Sequence, residues 1–314
     1  MELLKIKPVF KEMVWGGNQM RTLFGFNIPS DHTGEAWVVS AHPNGDGMIE
    51  NGEFEGQSLS SVYSTHRALF GSGSNLKFPL LIKIIDAKQD LSVQVHPDDA
   101  YAQKFENSYG KTESWYVLGC PQGTTMIIGH HLKTKEDYET SIKEGSLEPK
   151  LNKFEIKKGD FFYIPARTIH AIRSNSLIYE VQQNSDITYR IYDYNRKDDK
   201  GSLRQLHIEK ALDVTQMPYV AYPTTPITTE TPNLRLTKLV NEIYFSVTKA
   251  ECNGSSEYVI EDEFLIIGCI DGEVEINGMT LRIGQHVIAP HSIRKLKISG
   301  QATLIFSAPK KILL

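Results

Sequence analysis

The chain has 314 residues, of which 40% are hydrophobic and 23% charged, and its formal net charge is −4. This length suits two domains of ordinary size. The negative balance argues against a nucleic-acid partner, and no apolar run is long enough to span a bilayer. The charged N-terminal segment lacks the apolar core of a signal peptide, and the three cysteines have no metal-type spacing. We therefore expect a cytoplasmic protein without nucleic-acid or membrane partners, with reduced thiols rather than a disulfide.

Short runs rich in Val, Ile, Phe and Tyr recur between turn signals. The clearest of these runs are residues 35–41, 80–86, 114–119, 124–129, 160–165 and 177–183. Because they follow one another without long helices between them, they predict an all-β sandwich or barrel. A few helices are also predicted, near 59–71, 134–145 and 202–214. Asp98 and Asp99 are typical of the acidic start of a further helix.

A segment rich in Pro and Thr, residues 218–233, shows little hydrophobic periodicity. Such a composition predicts a linker. It would separate an N-terminal domain at 1–217, which has helical insertions and carries the candidate site, from a C-terminal domain at 234–314.

An internal repeat relates the two domains. ESWYVLGC (113–120) resembles DEFLIIGC (262–269), and IKKGDFFYIPARTIHAI (156–172) resembles LRIGQHVIAPHSIRKLKI (281–298). In both longer segments a Gly is followed six residues later by Pro, then by a turn and another strand. The repeat predicts two copies of one β-unit, with a chance match between short strand-and-turn segments as the alternative.

Four potential metal ligands fall at the ends of predicted strands: Gln94, His96, Glu113 and His170. Residues i and i+2 of a strand point to one face, so Gln94 and His96 can reach one ion together. Buried polar side chains cost free energy unless something satisfies them, and a cation would satisfy both. Two imidazoles, a carboxylate and an amide oxygen suit Zn²⁺, although iron, cobalt or manganese could fill the same site.

The second copy lacks this set of ligands. Asp262 matches the acidic position of Glu113, but Lys295 stands where the first copy has His170, and no Gln-x-His precedes it. We therefore predict that the C-terminal domain folds alike, binds no metal and packs against the first. Seven other histidines are interpreted as ordinary hydrogen-bonded residues: His32, His66, His130, His131, His207, His286 and His291.

Several blocks of the sequence resemble the type I mannose-6-phosphate isomerases of the cupin superfamily. They are VWGGNQMRTLFG (14–25), GEAWVVSAHPNGDGMIENG (34–52), the segment 94–99, KTESWYVL (111–118), GDFFYIPARTIHAI (159–172) and EVQQNSDITYRIYDYNR (180–196). The chain length resembles the short bacterial branch of this family. The resemblance implies two cupin-type β jelly rolls and one Zn²⁺ per chain, held by the four ligands named above. It also implies that mannose 6-phosphate and fructose 6-phosphate are interconverted through an enediol.

Further positions carry over from the resemblance one at a time. Lys111, Asp186 and Arg190 match active-site residues, and Lys83 and Ser92, together with Arg190, match positions assigned to phosphate contacts. The proton-transfer base is then either Lys111 or a zinc-bound water assisted by Asp186. The residues alone also allow structural interpretations in place of these functional roles. Asp186 and Arg190 could form an ion pair, and the Lys83 side chain could extend to the surface.

The chain departs from the family pattern at three positions. Thr112 replaces a proline, Gly110 stands where the long branch has a histidine, and Arg167 replaces a glycine before the Thr-Ile-His turn. Arg167 is either strained at positive φ or part of the anion pocket. Trp15 and Trp37 are more typical of a core than of sugar-stacking platforms.

Two other functional classes remain as alternatives to the isomerase. One is a metal-bearing cupin that binds sugar phosphates without turnover. The other is a cupin iron oxygenase, which would leave the anion pocket unexplained. We expect the protein to be a monomer or a homodimer.

Overall fold

The structure is a computed structural model that describes residues 2–71, 76–197 and 201–310. Its strands up to residue 192 are β1 (Leu4–Lys7), β2 (Val9–Gly17), β3 (Thr33–Val39), β4 (Ala41–His42), β5 (Gly45–Asp46), β6 (Met48–Ile49), β7 (Leu80–Ala87), β8 (Val93–Val95), β9 (Glu113–Gly119), β10 (Thr125–His130), β11 (Leu151–Glu155), β12 (Phe161–Ile164), β13 (His170–Ala171), β14 (Ser176–Gln183) and β15 (Tyr189–Tyr192). The later strands are β16 (Ile227–Thr231), β17 (Leu234–Asn241), β18 (Phe245–Val259), β19 (Leu265–Ile276), β20 (Met279–Arg282), β21 (His286–Ala289) and β22 (Lys295–Pro309). The helices are α1 (Gln19–Phe24), α2 (Leu59–Thr65), α3 (Asp99–Glu106), α4 (Lys135–Lys143) and α5 (Ile208–Val214), with 3-10 turns at Gly52–Phe54, Arg67–Phe70 and Glu148–Lys150. Across the described ranges, no helix has the length and apolar character that crossing a membrane requires.

Two sheets form the first β-roll. One has six strands in the order β12-β9-β14-β7-β2-β3, and the other has five in the order β11-β10-β13-β8-β15. Every residue of β7 and β14 is buried, because these central strands are covered on both faces. Side chains alternate between the faces of a strand, so one face of each sheet lines the interior of the roll.

A nine-stranded sheet forms the second β-roll. Its order is β16-β17-β18-β22-β19-β21-β1-β6, with β20 attached to β19. The 15-residue strands β18 and β22 pair along their whole length. The interior of this roll is apolar, with Leu265, Ile267, Leu296 and Leu304 among its buried residues.

A shared hydrophobic core joins the two rolls. It brings Ile84 and Val181 of the six-stranded sheet together with Phe245 and Ile305 of the nine-stranded sheet. The prediction that the second domain packs against the first is therefore confirmed.

The predicted fold class, all-β with a few helices, is also confirmed, and all six predicted strands are present. The three predicted helical segments contain α2, α4 and α5, but α5 begins only at Ile208. The residues before Ile208 are not helical, and Leu203 among them forms an isolated β-bridge with Lys197. Asp98 caps α3 as expected: its carboxylate accepts a hydrogen bond from the Tyr101 N–H at 3.0 Å.

Two details of the expected domain boundaries differ from the structure. Strand β1, near the chain start, lies within the expected first domain, but it pairs with β21 in the second roll. Within the expected linker 218–233, residues 227–231 form β16 and pair with β17. The segment Ile-Thr-Thr-Glu-Thr is short and fully exposed, and it lacks the alternation of apolar and polar residues that would predict a strand.

Strand register corrects one part of the repeat. Glu113 pairs with Ile164 in the first roll, and the equivalent pair in the second roll, one residue before Pro290, is Leu265 with Ala289. The position of Glu113 is therefore taken by Leu265, and the match to Asp262 is wrong by three residues. The shared Gly-Cys does not mark structurally equivalent positions, because β9 ends at that point whereas β19 continues beyond it.

Candidate active site and metal centre

Strand pairing brings the predicted ligands together. His170 on β13 lies directly opposite Gln94 on β8, which in turn lies opposite Arg190 on β15. Directly opposed residues of antiparallel strands point to the same face, so these three side chains form one row. His96 follows two residues after Gln94 and shares its face. Glu113 reaches the two histidines from β9 in the other sheet.

Three of the predicted ligands surround one point. The Nε2 atoms of His96 and His170 are 3.1 Å apart. The carboxylate of Glu113 lies 3.4 Å from Nε2 of His96 and 3.2 Å from Nε2 of His170. None of the three residues is more than 1% exposed. Their potential ligand atoms all lie within 4.8 Å of one another.

Backbone carbonyls orient both imidazole rings. Nδ1 of His96 donates to the carbonyl of Ile187 at 2.7 Å, and Nδ1 of His170 donates to the carbonyl of Thr168 at 2.8 Å. Because a carbonyl can only accept, each ring carries its proton on Nδ1 and a lone pair on Nε2. The two lone pairs face one point, and a cation at that point would satisfy both.

The electrostatics of the cluster suit a divalent ion. Burial lowers the pKa of His96 to about 3, and the Lys111 ammonium acts in the same direction. Burial also lowers the pKa of His170. Burial opposes ionisation of Glu113, but Lys111 and the two histidines outweigh it and hold the pKa of this carboxyl well below its usual range. At neutral pH the site therefore presents neutral imidazoles and a carboxylate, the forms that bind metals.

The residues present also fit such an ion sterically and chemically. Both carboxylate oxygens of Glu113 are buried without a hydrogen-bond donor in good geometry. Ser92 donates to Oε1 of Gln94 at 3.2 Å, and the amide nitrogen of Gln94 lies 3.4 Å from Nε2 of His170. A half-turn of the amide exchanges its oxygen and nitrogen, so Gln94 can present its oxygen to the same point. Two imidazoles, one carboxylate and one amide oxygen are a suitable donor set for Zn²⁺.

Lys111 lies against this set of ligands. Its Nζ is 2.9 Å from Oε2 of Glu113 and 3.0 Å from Nε2 of His96. A divalent ion and the Lys111 ammonium would therefore compete for the same two atoms, since both are cations. The neighbouring Thr112, which replaces the proline of the family pattern, accepts a hydrogen bond from the Ala166 N–H at 3.1 Å.

A cavity of about 220 Å³ adjoins the cluster. Six predicted site residues line it: Lys83, Ser92, Gln94, Lys111, Asp186 and Arg190. Trp15 and Trp37 line it too, although each is only 4% exposed, so the expectation of purely core tryptophans is incomplete. Of the predicted ligands, Gln94 lines the cavity, and Lys111, which contacts Glu113 and His96, connects the other ligands to it.

Lys83 does not extend to the surface. It is buried between two carboxylates, 3.1 Å from Glu180 and 3.7 Å from Glu35. Burial would lower the pKa of Lys83, but Glu180 and Glu35 outweigh this effect and raise it. Glu180 and Glu35 also accept hydrogen bonds from the indoles of Trp115 at 3.0 Å and Trp37 at 2.6 Å. Lys83 is therefore neutralised within the wall of the cavity.

Guanidinium groups gather at another part of the wall. Arg190 and Arg204 both line the cavity. Arg204 and Arg196 pair with the same carboxylate, that of Asp193, at 2.5 Å and 2.6 Å. Arg190 itself donates to the carbonyl of Gln205 at 2.8 Å. Two of these guanidinium groups thus share one carboxylate, and the third donates to a backbone carbonyl, which leaves this corner positive.

Asp186 is held by neighbours other than Arg190. Its carboxylate lies 3.5 Å from Nε2 of His42 and accepts a hydrogen bond from Nδ2 of Asn44 at 2.6 Å. The alternative of a structural ion pair between Asp186 and Arg190 therefore does not describe the contacts of either residue.

Comparisons with known proteins decide the family. A model of the type I phosphomannose isomerase catalytic domain matches residues 3–156, and a model of the mannose-6-phosphate isomerase cupin domain matches residues 235–309. The mannose-6-phosphate isomerase ManA of Bacillus subtilis is 43% identical over 98% of this chain and 98% of its own length. This chain belongs to the type I phosphomannose isomerase family.

Other relatives agree with this membership in the phosphomannose isomerase family. The mannose-6-phosphate isomerase of Streptococcus mutans is 42% identical over 98% of each chain. The crystal structure of the mannose 6-phosphate isomerase from Bacillus subtilis is 40% identical, with a TM-score of 0.94 over 98% of this chain and 99% of that one. The resemblance seen in the sequence and the cupin fold class are therefore both confirmed.

Sequence reasoning missed four residues of the cavity region: Glu35, His42, Glu180 and Arg204. One signal was available, because Glu180 interrupts the apolar run LIYEVQQ much as Gln94 interrupts its own strand. The partners of these residues could not be predicted, since Glu180 meets Lys83 only through pairing of two strands that are distant in sequence.

Arg167, a departure from the phosphomannose isomerase pattern, has a φ of 73°. Its Nε donates to the carbonyl of Val214 at 3.0 Å, and its guanidinium lies 3.7 Å from Asp98. These contacts lie on the outside of the roll, beside α3 and α5. Of the two alternatives, backbone strain therefore describes Arg167, and a place in the anion pocket does not.

Proposed function

We propose that this chain is a metal-dependent isomerase that interconverts mannose 6-phosphate and fructose 6-phosphate through an enediol. Relatives at 41–43% identity that carry the name mannose-6-phosphate isomerase support the reaction and the substrate. The observation that carries the mechanism is a cavity lined by Gln94 and Lys111, which lie beside the cation-type group His96–Glu113–His170, and by Arg190 and Arg204.

The metal site is proposed to consist of Gln94, His96, Glu113 and His170, with one Zn²⁺ per chain. The convergence of two imidazole lone pairs beside a buried carboxylate supports this set. When bound, the ion would act as a Lewis acid that stabilises the developing negative charge on the substrate oxygens, an effect worth about several kcal/mol.

The phosphate is proposed to bind at Arg190 and Arg204. These residues lie where three guanidinium groups gather and only two of them, those of Arg196 and Arg204, share the carboxylate of Asp193. Guanidinium groups match phosphate oxygens in two-point contacts. Lys83, by contrast, already faces two carboxylates, and Ser92 donates to Gln94. We therefore propose that Lys83 and Ser92 shape and orient the cavity, and that the arginines carry the phosphate contact.

The proton transfer between C1 and C2 needs a base that faces the cavity. Asp186 offers a carboxylate there: Oδ2 accepts a hydrogen bond from Asn44, and Oδ1 lies 3.5 Å from Nε2 of His42. Lys111, as a buried ammonium beside the ligand set, supplies fixed positive potential to the enediolate oxygens. We propose Asp186 as the group that carries the proton and Lys111 as the electrostatic partner.

The test combines metal analysis of the purified protein with a coupled isomerase assay. We expect one zinc per chain, loss of activity after chelation and recovery with Zn²⁺. Turnover in deuterated water should exchange the hydrogen at C2, which separates an isomerase from a protein that only binds sugar phosphates. Full activity of a metal-free preparation would contradict the metal mechanism. The cytoplasmic location and the monomer or homodimer stay predictions.

A further inference from the structure

The short hairpin β4–β5 stands next to the proposed base. Its turn residues Pro43 and Asn44 are exposed, whereas His42 is only 8% exposed. Asp186 lies between two cavities, because it lines both the catalytic cavity and a neighbouring one of about 590 Å³ that His42 also lines. A side chain between two open spaces keeps its orientation only if neighbours hold it.

Both carboxylate oxygens of Asp186 have a partner on this hairpin. Oδ1 lies 3.5 Å from Nε2 of His42, and Oδ2 accepts a hydrogen bond from Nδ2 of Asn44 at 2.6 Å. The hydrogen bond from Asn44 and the contact with the His42 ring restrict both the position and the orientation of the carboxylate. A catalytic base needs both, because proton transfer depends on the direction of the lone pair.

The hairpin also selects the tautomer of His42. The backbone N–H of Asn44 donates to Nδ1 of His42 at 3.2 Å. With Nδ1 acting as the acceptor, the neutral ring carries its proton on Nε2, the atom that faces Asp186. Trp37 packs edge-on against this ring, with the centroids 5.7 Å apart at 82°. Turn, ring and indole together place this nitrogen 3.5 Å from the carboxylate.

The segment that carries Asp186 is tied down on its other side as well. The carbonyl of Ile187, the next residue, accepts the Nδ1 proton of His96 at 2.7 Å. Asp186 thus contacts the hairpin, and the next residue, Ile187, contacts the imidazole of His96. The segment that carries Asp186 therefore contacts both the hairpin and a proposed metal ligand.

We propose that His42 and Asn44 are positioning residues that orient Asp186 for proton transfer, with His42 acting as the Nε2–H tautomer. This inference rests on the proposed isomerase function. It assigns the hairpin a role in the rate of the chemical step, and none in metal binding or phosphate binding.

A double-mutant cycle on the holoenzyme tests the proposal. His42→Ala should lower kcat about tenfold to a hundredfold, the range expected when a catalytic group is misplaced by about 1 Å. KM and zinc content should stay near the wild-type values. In an Asp186→Asn background the same His42→Ala change should lower kcat by less than about twofold, because the group that His42 orients is no longer a base.

Conservative variants separate positioning from folding. Gln can place an N–H close to the position of Nε2, so His42→Gln should restore most of the kcat that His42→Ala loses. Equal losses in both variants, or additive losses in the cycle, would overturn the proposal. A wild-type protein without isomerase activity would instead overturn the proposed function.

If the wild-type protein is inactive, a measurement that needs no turnover still tests the tautomer of His42. Long-range nitrogen–proton correlation spectra of ¹⁵N-labelled protein, with His42→Gln to assign the signal, report the tautomer of His42. We expect the Nε2–H form, and an Nδ1–H form would contradict the orientation proposed here.

Discussion

The two β-rolls share a strand-and-turn unit but differ in what fills it. In the first roll His96, Glu113 and His170 are buried around one point. In the second, Leu265 stands at the position of Glu113 within an apolar core. Lys295, at the position of His170, points outward and pairs with Glu257 at 2.7 Å.

This difference separates what the fold needs from what the site needs. An apolar interior stabilises a β-roll without help, as in the second roll. A buried carboxylate and two facing lone pairs cost free energy unless a ligand satisfies them. The polar interior of the first roll therefore indicates selection for binding and not for folding.

The largest expected effect comes from removing a proposed ligand. His170→Ala should abolish zinc retention and lower the isomerase rate about a thousandfold or more, since several kcal/mol of charge stabilisation are lost. Metal analysis and the coupled assay measure both. His66→Ala, a change at a histidine outside the site, should leave both unchanged. A His170→Ala protein with one zinc per chain would show that His170 is not a ligand.

The reverse change in the second roll should harm stability. Leu265→Glu places a carboxylate in the apolar core, where it meets no histidine or lysine partner of the kind that Glu113 has. We expect a loss of about 3–5 kcal/mol in the free energy of unfolding. Urea denaturation measures it, with Leu265→Met as the control of similar volume. A Glu variant as stable as wild type would contradict the apolar character of this core.

The contact between the rolls should weaken in acid. His286 of the second roll lies 3.2 Å from the Tyr179 hydroxyl of the first, and burial lowers the pKa of His286 to about 4. Its unfolded pKa is about 6.5, so the unfolded chain binds the extra proton first, and stability falls as the pH drops from about 6.5 toward 4. Between pH 7 and pH 5 the free energy of unfolding should fall by about 2 kcal/mol through this group.

Replacing His286 should remove that contribution. Urea denaturation of His286→Gln at both pH values should show a smaller difference than wild type, because Gln does not titrate. An unchanged difference would mean that other groups account for the acid sensitivity.

A pair of arginine variants tests the phosphate corner. Arg204 and Arg196 share the carboxylate of Asp193, but only Arg204 is among the residues that line the cavity. Arg204→Gln should raise KM for mannose 6-phosphate, and the inhibition constant of inorganic phosphate, about tenfold, or about 1.4 kcal/mol. Arg196→Gln removes an equal charge and should raise them less. Equal increases would point to a diffuse electrostatic effect.

Local spacing accounts for much of what could be predicted from the sequence. Gln94 and His96 lie two residues apart on one strand, so their shared face follows from strand geometry alone. The strands and α2, α4 and α5 follow in the same way from local patterns.

Contacts between distant strands could not be predicted. The pairing of Lys83 with Glu180 depends on the register of β7 against β14, about a hundred residues apart in sequence. The misplaced match of Glu113 to Asp262 has the same origin, because only strand pairing shows that Leu265 is the equivalent residue.

The smallest expected effect concerns Arg167, beside the ligand turn of the first roll. A side chain at a φ of 73° costs about 1–2 kcal/mol, which Arg167→Gly would relieve. The same change removes the hydrogen bond to the Val214 carbonyl and the half-exposed contact with Asp98. These effects oppose each other, so the free energy of unfolding should change by less than about 1 kcal/mol. Because the guanidinium lies outside the cavity, KM for mannose 6-phosphate should stay at the wild-type value. A rise in KM like that expected for Arg204→Gln would place Arg167 in the anion pocket after all.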